Sequence, residues 1–377
     1  MRVLVTADEN VGTLALARGL RDGGFTTWVV VNRDDTYVRR SRAVEGVLQL
    51  PEPHEDPAGW TAELAAIAER LDVAVVLPAT EATLCALTGR EAAFGGRVVG
   101  TSTHASLDAA VDKGRLPELA ARHGLQTPPT AVVDPARPVP TAVEYPAIVK
   151  PARTVSLSEG RLVRGGEPVR VSDARALEAH LAGRKGSHVV QPFVSGALAA
   201  ISGLAWRGEM RSALHQRALR TWPPETGTTA YAEAVEADPA LEAGLRGLLA
   251  DVAWSGIYNV QFLLTDDGPM LIDLNPRVYG SFGLTLAAGQ NLGAAWVRLL
   301  LGEEAEVPPY RVGTGLRIEV QDFYALTKLA RQRRIGEALR ALRPRRAASL
   351  AVLSARDPVP AVRSGQQLWW DMRRRWS

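Results

Sequence analysis

Apolar and polar positions alternate along this chain in two periods, and over the first hundred residues the two periods take turns. Short apolar runs at residues 2–6, 27–32, 73–77 and 97–100 predict strands. Between them, apolar residues spaced by three and four predict helices over 11–23, 57–71 and 81–88. Strand and helix in strict alternation imply βαβ units and a parallel sheet. From residue 105 the pattern changes. Tyr145–Lys150 is a short buried-type strand closed by Pro151, and His188–Val194 is an apolar strand ending at Ser195 and Gly196. Residues 211–231 read as a strand and then a turn-rich loop, and two further apolar strands flank Asp266-Asp267-Gly268. The expected class is therefore α/β: a parallel-sheet lobe over residues 1–104, then an α+β domain over 105–330 with a small lid at about 150–190, and a C-terminal segment over 331–377.

The chemistry concentrates in residues 257–283. Side chains two apart on a strand share a face, so Asp273 and Asn275 point the same way. With Gly268 in the left-handed slot of a three-residue turn, Gln261 sits opposite Asp273. One carboxylate and two amides then converge at a strand end, and oxygen ligands of this kind suit Mg²⁺ bridging to nucleotide phosphates. Pro276 stops the ladder and turns Arg277 outward, a planar fork that fits phosphate or carboxylate. A hairpin with a charged outer face is the alternative reading of each residue taken alone.

Asn259-Val260-Gln261-Phe262 followed by Ile272-Asp273-Leu274-Asn275-Pro276-Arg277 resembles the metal-binding core of the ATP-grasp superfamily, especially that of the carbamoyl phosphate synthetase large subunit. The resemblance implies that Gln261, Asp273 and Asn275 hold Mg²⁺ against ATP, with Arg277 on phosphate or an acyl-phosphate intermediate. Asp273 stands where that family usually has Glu. The order of Asp112-Lys113, a helical stretch, a turn at Gly124 and then Lys150-Pro151 resembles the same family, where both lysines contact ATP phosphates. By the same resemblance, backbone groups at Gln191, Pro192, Phe193 and Val194 form the hinge that pairs with the adenine edge. Arg217, Arg220 and, more weakly, Arg317 fall where the family meets its carboxylate substrate. Each has a plainer reading as a surface lysine, a buried strand or a solvated strand face. Two departures stand out. The loop after Lys150 carries one glycine, Gly160, so Ser156 and Ser158 would have to supply lid hydroxyls, and no residue after the hinge suits the ribose.

Composition narrows the setting. Only Lys113, Lys150, Lys185 and Lys328 are lysines among 44 basic residues, a bias that makes a retained lysine mildly informative. No apolar run is long enough to span a membrane, no signal-peptide pattern opens the chain, and Cys85 is the single cysteine, which suits a reducing cytoplasm. Thr6–Gly12 lacks the glycine fingerprint of dinucleotide binding, which weighs against a reading as an NAD-dependent oxidoreductase. Pro78–Glu81 follows a strand end, where open α/β sheets place ligand contacts; Thr80 as a helix cap is the equal alternative. Residues 331–377 hold twelve arginines against three acidic residues, net +9, leaving −6 on the rest of a chain whose total is +3. Arg373–Trp376 with Trp369 and Trp370 fits a polyanion or an anionic membrane surface, although packing of the Trp residues onto the domain is the favoured reading. No nucleic-acid motif is present.

The resemblance implies an ADP-forming ligase that uses ATP and Mg²⁺ to activate a carboxylate as an acyl phosphate and join it to an amine, with an amino acid or peptide-like substrate; the oligomeric state is open, a homodimer included. A non-catalytic ATP-binding regulator is the alternative from another class.

Overall fold

The computed structural model describes residues 1–7, 11–33, 36–137, 143–224, 227–333, 336, 348–363 and 365–366. Its first layer is a parallel sheet of β1 (Arg2–Ala7), β2 (Thr26–Val31), β3 (Gly46–Gln49), β4 (Val75–Pro78) and β5 (Val98–Val99), in the order β3-β2-β1-β4-β5. Helices α1 (Val11–Asp22), α2 (Pro57–Arg70) and α3 (Glu81–Leu87) fall where the three-to-four spacing placed them. Asp56 caps α2 by accepting from Gly59 N–H, with Pro57 in the first turn, where its missing N–H costs nothing. β3 was not expected: four half-exposed residues at a sheet edge bury too little to leave an apolar run.

A second layer begins after α4 (His104–Val111) and α5 (Leu116–Ala121). It holds β6 (Ala131–Val133), β7 (Ala147–Pro151), β10 (Val169–Val171) and β11 (His188–Pro192) as an antiparallel sheet in the order β10-β7-β11-β6. Helix α6 (Ala174–Leu181) buries Leu177 and Leu181 against Val149, Val171 and Val190. This small layer starts at Ala131, earlier in the chain than residue 150, because β6 returns to pair with β11. Between β7 and β10 stands a separate hairpin of β8 (Val155–Ser158) and β9 (Arg161–Arg164).

The third layer is a seven-stranded sheet. It holds β12 (Ala197–Trp206), β13 (Glu209–Trp222), β14 (Thr228–Ala234), β15 (Gly256–Thr265), β16 (Gly268–Asn275), β17 (Gly315–Arg317) and β18 (Ala348–Leu350). Helices α7 (Pro239–Asp251), α8 (Gly283–Ala287), α9 (Leu292–Leu300) and α10 (Glu319–Arg331) complete it. One core joins the first layer to the third: Val3, Leu16 and Val75 cluster with Leu204, Ile257, Phe282 and Trp296. A second core holds the hairpin, since Val155 and Leu162, each 4% exposed, pack with Leu4, Trp60 and Leu64 of the first layer. Leu162 N–H donates to His54 O, and His54 Nδ1 meets Leu162 O at 2.9 Å.

The C-terminal segment is partly built into the fold. β18 runs parallel to β17, and Arg18 of α1 meets the fully buried Asp357 at 2.9 Å while also donating to Ala351 O and Val352 O. Trp369, Trp370 and the terminal arginines, on which the polyanion or membrane reading rests, lie outside the described residues. No described helix is long and apolar enough to cross a membrane. Cys85 packs among apolar side chains, and burial pushes its thiol up to about 12, so it carries no chemistry at neutral pH.

Candidate active site

The hairpin of β15 and β16 reaches the expected pairing by an unexpected route. Gln261 does oppose Asp273, and Asn259 opposes Asn275. The turn, however, has two central residues, since Thr265 pairs directly with Gly268, whose φ is 110°. A shift between Gln261 and Phe262 leaves Ile272 as an extra residue on β16, and this bulge restores the register that a three-residue turn would have set. The bulge has a consequence: the Ile272 carbonyl leaves the ladder and accepts from Lys150 Nζ at 2.7 Å.

Asp273 Oδ1 is buried without a hydrogen-bond partner, 3.5 Å from Lys113 Nζ. A carboxylate oxygen left in this state has room in its bonding for a cation. Asn275 Oδ1 accepts from Arg277 Nη2 at 3.3 Å, and Arg277 Nη1 holds Val278 O at 2.9 Å. Gln261, Asp273 and Asn275 together form a hard, oxygen-only donor set with one charge, which fits Mg²⁺ sharing its shell with phosphate better than a cage of protein carboxylates. Among the described residues no group of three His, Cys, Asp or Glu could hold a metal alone.

Both anticipated lysines come to this place. Lys150, on β7, is 7% exposed; burial pushes its pKa down, Asp273 pulls it back up, and Lys113 adds to the depression. Lys113, in the turn before α5, is held by its own N–H on Ala152 O and by Nζ on Thr154 Oγ1 at 3.1 Å. A further carboxylate arrives from the first layer. Thr80 caps α3 through a reciprocal bond set with Thr83, and the next residue, Glu81, accepts from Val155 N–H at 3.1 Å. Burial raises the Glu81 pKa, while Lys113 and Arg277 oppose that rise. Thr80 thus caps α3, and Glu81 beside it is buried near Lys113 and Arg277. Three cations and two carboxylates meet here, a net positive site with low solvent exposure that an incoming polyphosphate would neutralise.

Other anticipated residues are placed differently. Arg217 pairs with Glu233 at 2.8 Å, half exposed. Arg220 makes a two-pronged contact with Asp322, whose other neighbour is Arg317 at 3.7 Å, and both guanidinium groups lie 4.8 Å from the Tyr231 ring centre. None of the three lines the cavity of about 580 Å³ above Gln261, Asn275 and Arg277. At the hinge, Gln191 donates to Thr130 Oγ1, Phe193 N–H is taken by Pro146 O, and the Phe193 ring lies under Arg170 at 4.0 Å. Pro192 ends β11 and Val194 follows in the link to β12. Ser156 lines another cavity, of about 630 Å³, with Arg153, Arg164 and Lys185. Sequence reasoning missed Asn259, buried and donating to Ser202 Oγ at 2.7 Å, although its two-residue spacing from Gln261 was the available signal.

Residues 187–322 match the family described as ATP-grasp in the biosynthetic pathway with Ter operon, a span that includes Gln261, Asp273, Asn275 and Arg277. No curated protein matches the chain. Among solved structures it is similar to an L-amino acid ligase from Bacillus licheniformis, with a TM-score of 0.60 and 17% identity over 82% of this chain and 77% of that one. It is similar also to N5-carboxyaminoimidazole ribonucleotide synthetase from Thermus thermophilus, with a TM-score of 0.58 and 19% identity over 84% and 82% of the two chains. For N5-carboxyaminoimidazole synthetase from Staphylococcus aureus complexed with ADP, the TM-score is 0.62 and the identity 11%, over 83% and 80%. The fold is that of ATP-grasp proteins, as the motifs around Gln261 and Asp273 implied.

Proposed function

We propose that this ATP-grasp chain is an ADP-forming ligase that joins a carboxylate to an amine. The observation that carries the reading is the meeting of Lys113, Lys150 and Arg277 near Asp273, whose Oδ1 lies 3.5 Å from Lys113 Nζ and accepts no hydrogen bond, at the junction of all three layers. Phosphoryl transfer needs little covalent help from a protein; positioning and charge neutralisation supply most of it. In this reading Lys113 and Lys150 neutralise the β- and γ-phosphates, and Arg277 holds the reacting oxygen atoms. Gln261, Asp273 and Asn275 would hold Mg²⁺, whose charge would offset that of the phosphates.

A substrate carboxylate oxygen attacks the γ-phosphorus, the bond from phosphorus to the β–γ bridging oxygen breaks, and ADP leaves. The amine nitrogen then attacks the acyl carbon, the C–O bond to phosphate breaks, and phosphate leaves with the amide formed and one amine proton released. Neither step requires a side-chain nucleophile. The ADP complex of the similar Staphylococcus aureus structure supports the nucleotide, and the amino acid ligase supports an amino-acid substrate.

The test is ADP release from MgATP with pooled amino acids, measured for the native chain and for Asp273→Asn. Release that needs both ATP and the pool, and that is lost in the variant, is the expected result. Nucleotide binding with no ADP release under any pool would favour the non-catalytic regulator instead.

A further inference from the structure

Residues 151–164 hold one glycine, Gly160, so they lack the run of free amide groups that cradles phosphate in glycine-rich loops. Their backbone has other work. Ala152 N–H donates to Ser187 O, and Ala152 O accepts from Lys113 N–H, each at 2.9 Å. Arg153 pairs with Asp108 and, at 3.0 Å, with Asp112, the residue before Lys113. Thr154 Oγ1 accepts from Lys113 Nζ at 3.1 Å. Thr154 O accepts from Gly165 N–H at 2.8 Å and closes the base of the β8–β9 hairpin. Residues 152–155 are thus a strap that moves as one unit with the turn carrying Lys113.

Glu81 ties this unit to the first layer. It is the first residue of α3, 5% exposed, and its Oε1 accepts from Val155 N–H at 3.1 Å. Val155 pairs with Arg164 at the open end of the hairpin, next to Thr154. The bond from Leu162 N–H to His54 O lies nearer the tip, so it holds the tip while Glu81 holds the base. Val155 also packs its side chain on the first layer, but an apolar contact is non-directional and does not aim the backbone. A carboxylate is a costly group in this place. It is buried beside Lys113 and Arg277, and its charge opposes the phosphates that these cations would meet. Attracting the nucleotide is therefore not its role, whereas an ionised acceptor holds a backbone N–H about twice as strongly as a neutral one.

We propose that Glu81 is a positioning residue: it fixes the strap at Val155 and, through Thr154, aims Lys113 Nζ at the nucleotide site beside Asp273. The inference rests on the ligase reading for the phosphates alone.

The test is calorimetric titration with MgATP, because charge and positioning predict opposite signs. Acting through charge alone, Glu81→Ala would tighten binding, since a negative charge leaves the phosphate site. Acting by position, Glu81→Ala should weaken binding about tenfold, while Glu81→Gln, which keeps an acceptor for Val155 N–H, should bind at least as tightly as the native chain. Thr154→Val removes the next link and should weaken binding too, and the double variant should bind no worse than the weaker of the two single ones. Tighter or unchanged binding in Glu81→Ala, unchanged binding in Thr154→Val, or additive losses would overturn the inference. Glu81→Met, which keeps the length without a comparable acceptor, replaces Glu81→Ala in every arm if the latter does not fold. Amide exchange reads the same link without nucleotide. Losing the Glu81 acceptor should quicken exchange over residues 112–115 as well as 152–158, and quickening confined to the hairpin would overturn the inference. A native chain that shows this linked exchange yet binds no MgATP sinks the ligase reading alone.

Discussion

Replacing Lys150 with methionine removes a charge while keeping most of the side chain's length, and the structure predicts little change in stability without nucleotide but a large loss of nucleotide affinity. In the free protein Nζ donates to Ile272 O at 2.7 Å from a side chain 7% exposed. Losing that bond costs about 1–3 kcal/mol if the carbonyl is left dry, and less if water reaches it. Against this stands the cost of burying an ammonium, several kcal/mol before the nearby Asp273 offsets part of it, and the depressed Lys150 pKa shows that burial outweighs the attraction. The two effects are of similar size and opposite sign, so the free variant should unfold within about 4 °C of the native chain. Nucleotide binding has no such compensation. A charge-assisted contact to phosphate contributes about 1.5–3 kcal/mol, so MgATP affinity should fall roughly 10- to 150-fold. Thermal unfolding without ligand and calorimetric titration with MgATP measure the two quantities on the same samples. A variant that binds MgATP as tightly as the native chain would refute the phosphate role, and one that fails to fold would refute the stability argument.

Other consequences follow from the same contacts. Because burial holds the Lys150 pKa below its ordinary value and phosphate would raise it again, MgATP binding between those two pH values should take up a proton, which calorimetry in buffers of different ionisation enthalpy detects; heats independent of the buffer would contradict it. The same depressed pKa means that this group's contribution to stability is present above pH 10.5 and is lost as pH falls through the lowered value. Asp357→Ala strands Arg18 in a dry site and should cost about 3–5 kcal/mol in urea unfolding, showing that the described part of the C-terminal segment belongs to the fold. Leu162→Ala removes an apolar plug from the first-layer core, so amide exchange over residues 155–164 should quicken well before that of β1 or β4; uniform quickening would mean the hairpin is not separately latched.

Much of the fold was legible because local pattern and tertiary role agree. The strands around Val3, Val29 and Val76 are buried on both faces and read as apolar runs, and α2 and α3 carry their own caps. β3 escaped because a short, half-exposed edge strand leaves no such run. The pairing of Gln261 with Asp273 was legible from two-residue spacing, but its cause was not: a bulge at Ile272 compensates a tighter turn, and bulges leave little trace in a pattern of apolar positions. Arginines were the hardest to read. Arg220 and Arg317 look like substrate clamps when only their spacing is known, yet both are drawn to Asp322, which lies 102 residues beyond Arg220. Glu81 shows the converse, since only the fold reveals that a residue in a helix's first turn faces Lys113 and Arg277.

The most direct test of the account is calorimetric titration of the native chain with ATP, in the presence and absence of Mg²⁺, repeated with Asp273→Asn. The account predicts one ATP per chain, with binding that depends on Mg²⁺ and is largely lost in the variant. A folded protein that binds no ATP, or binds it equally well without Mg²⁺ and without the Asp273 charge, would contradict it.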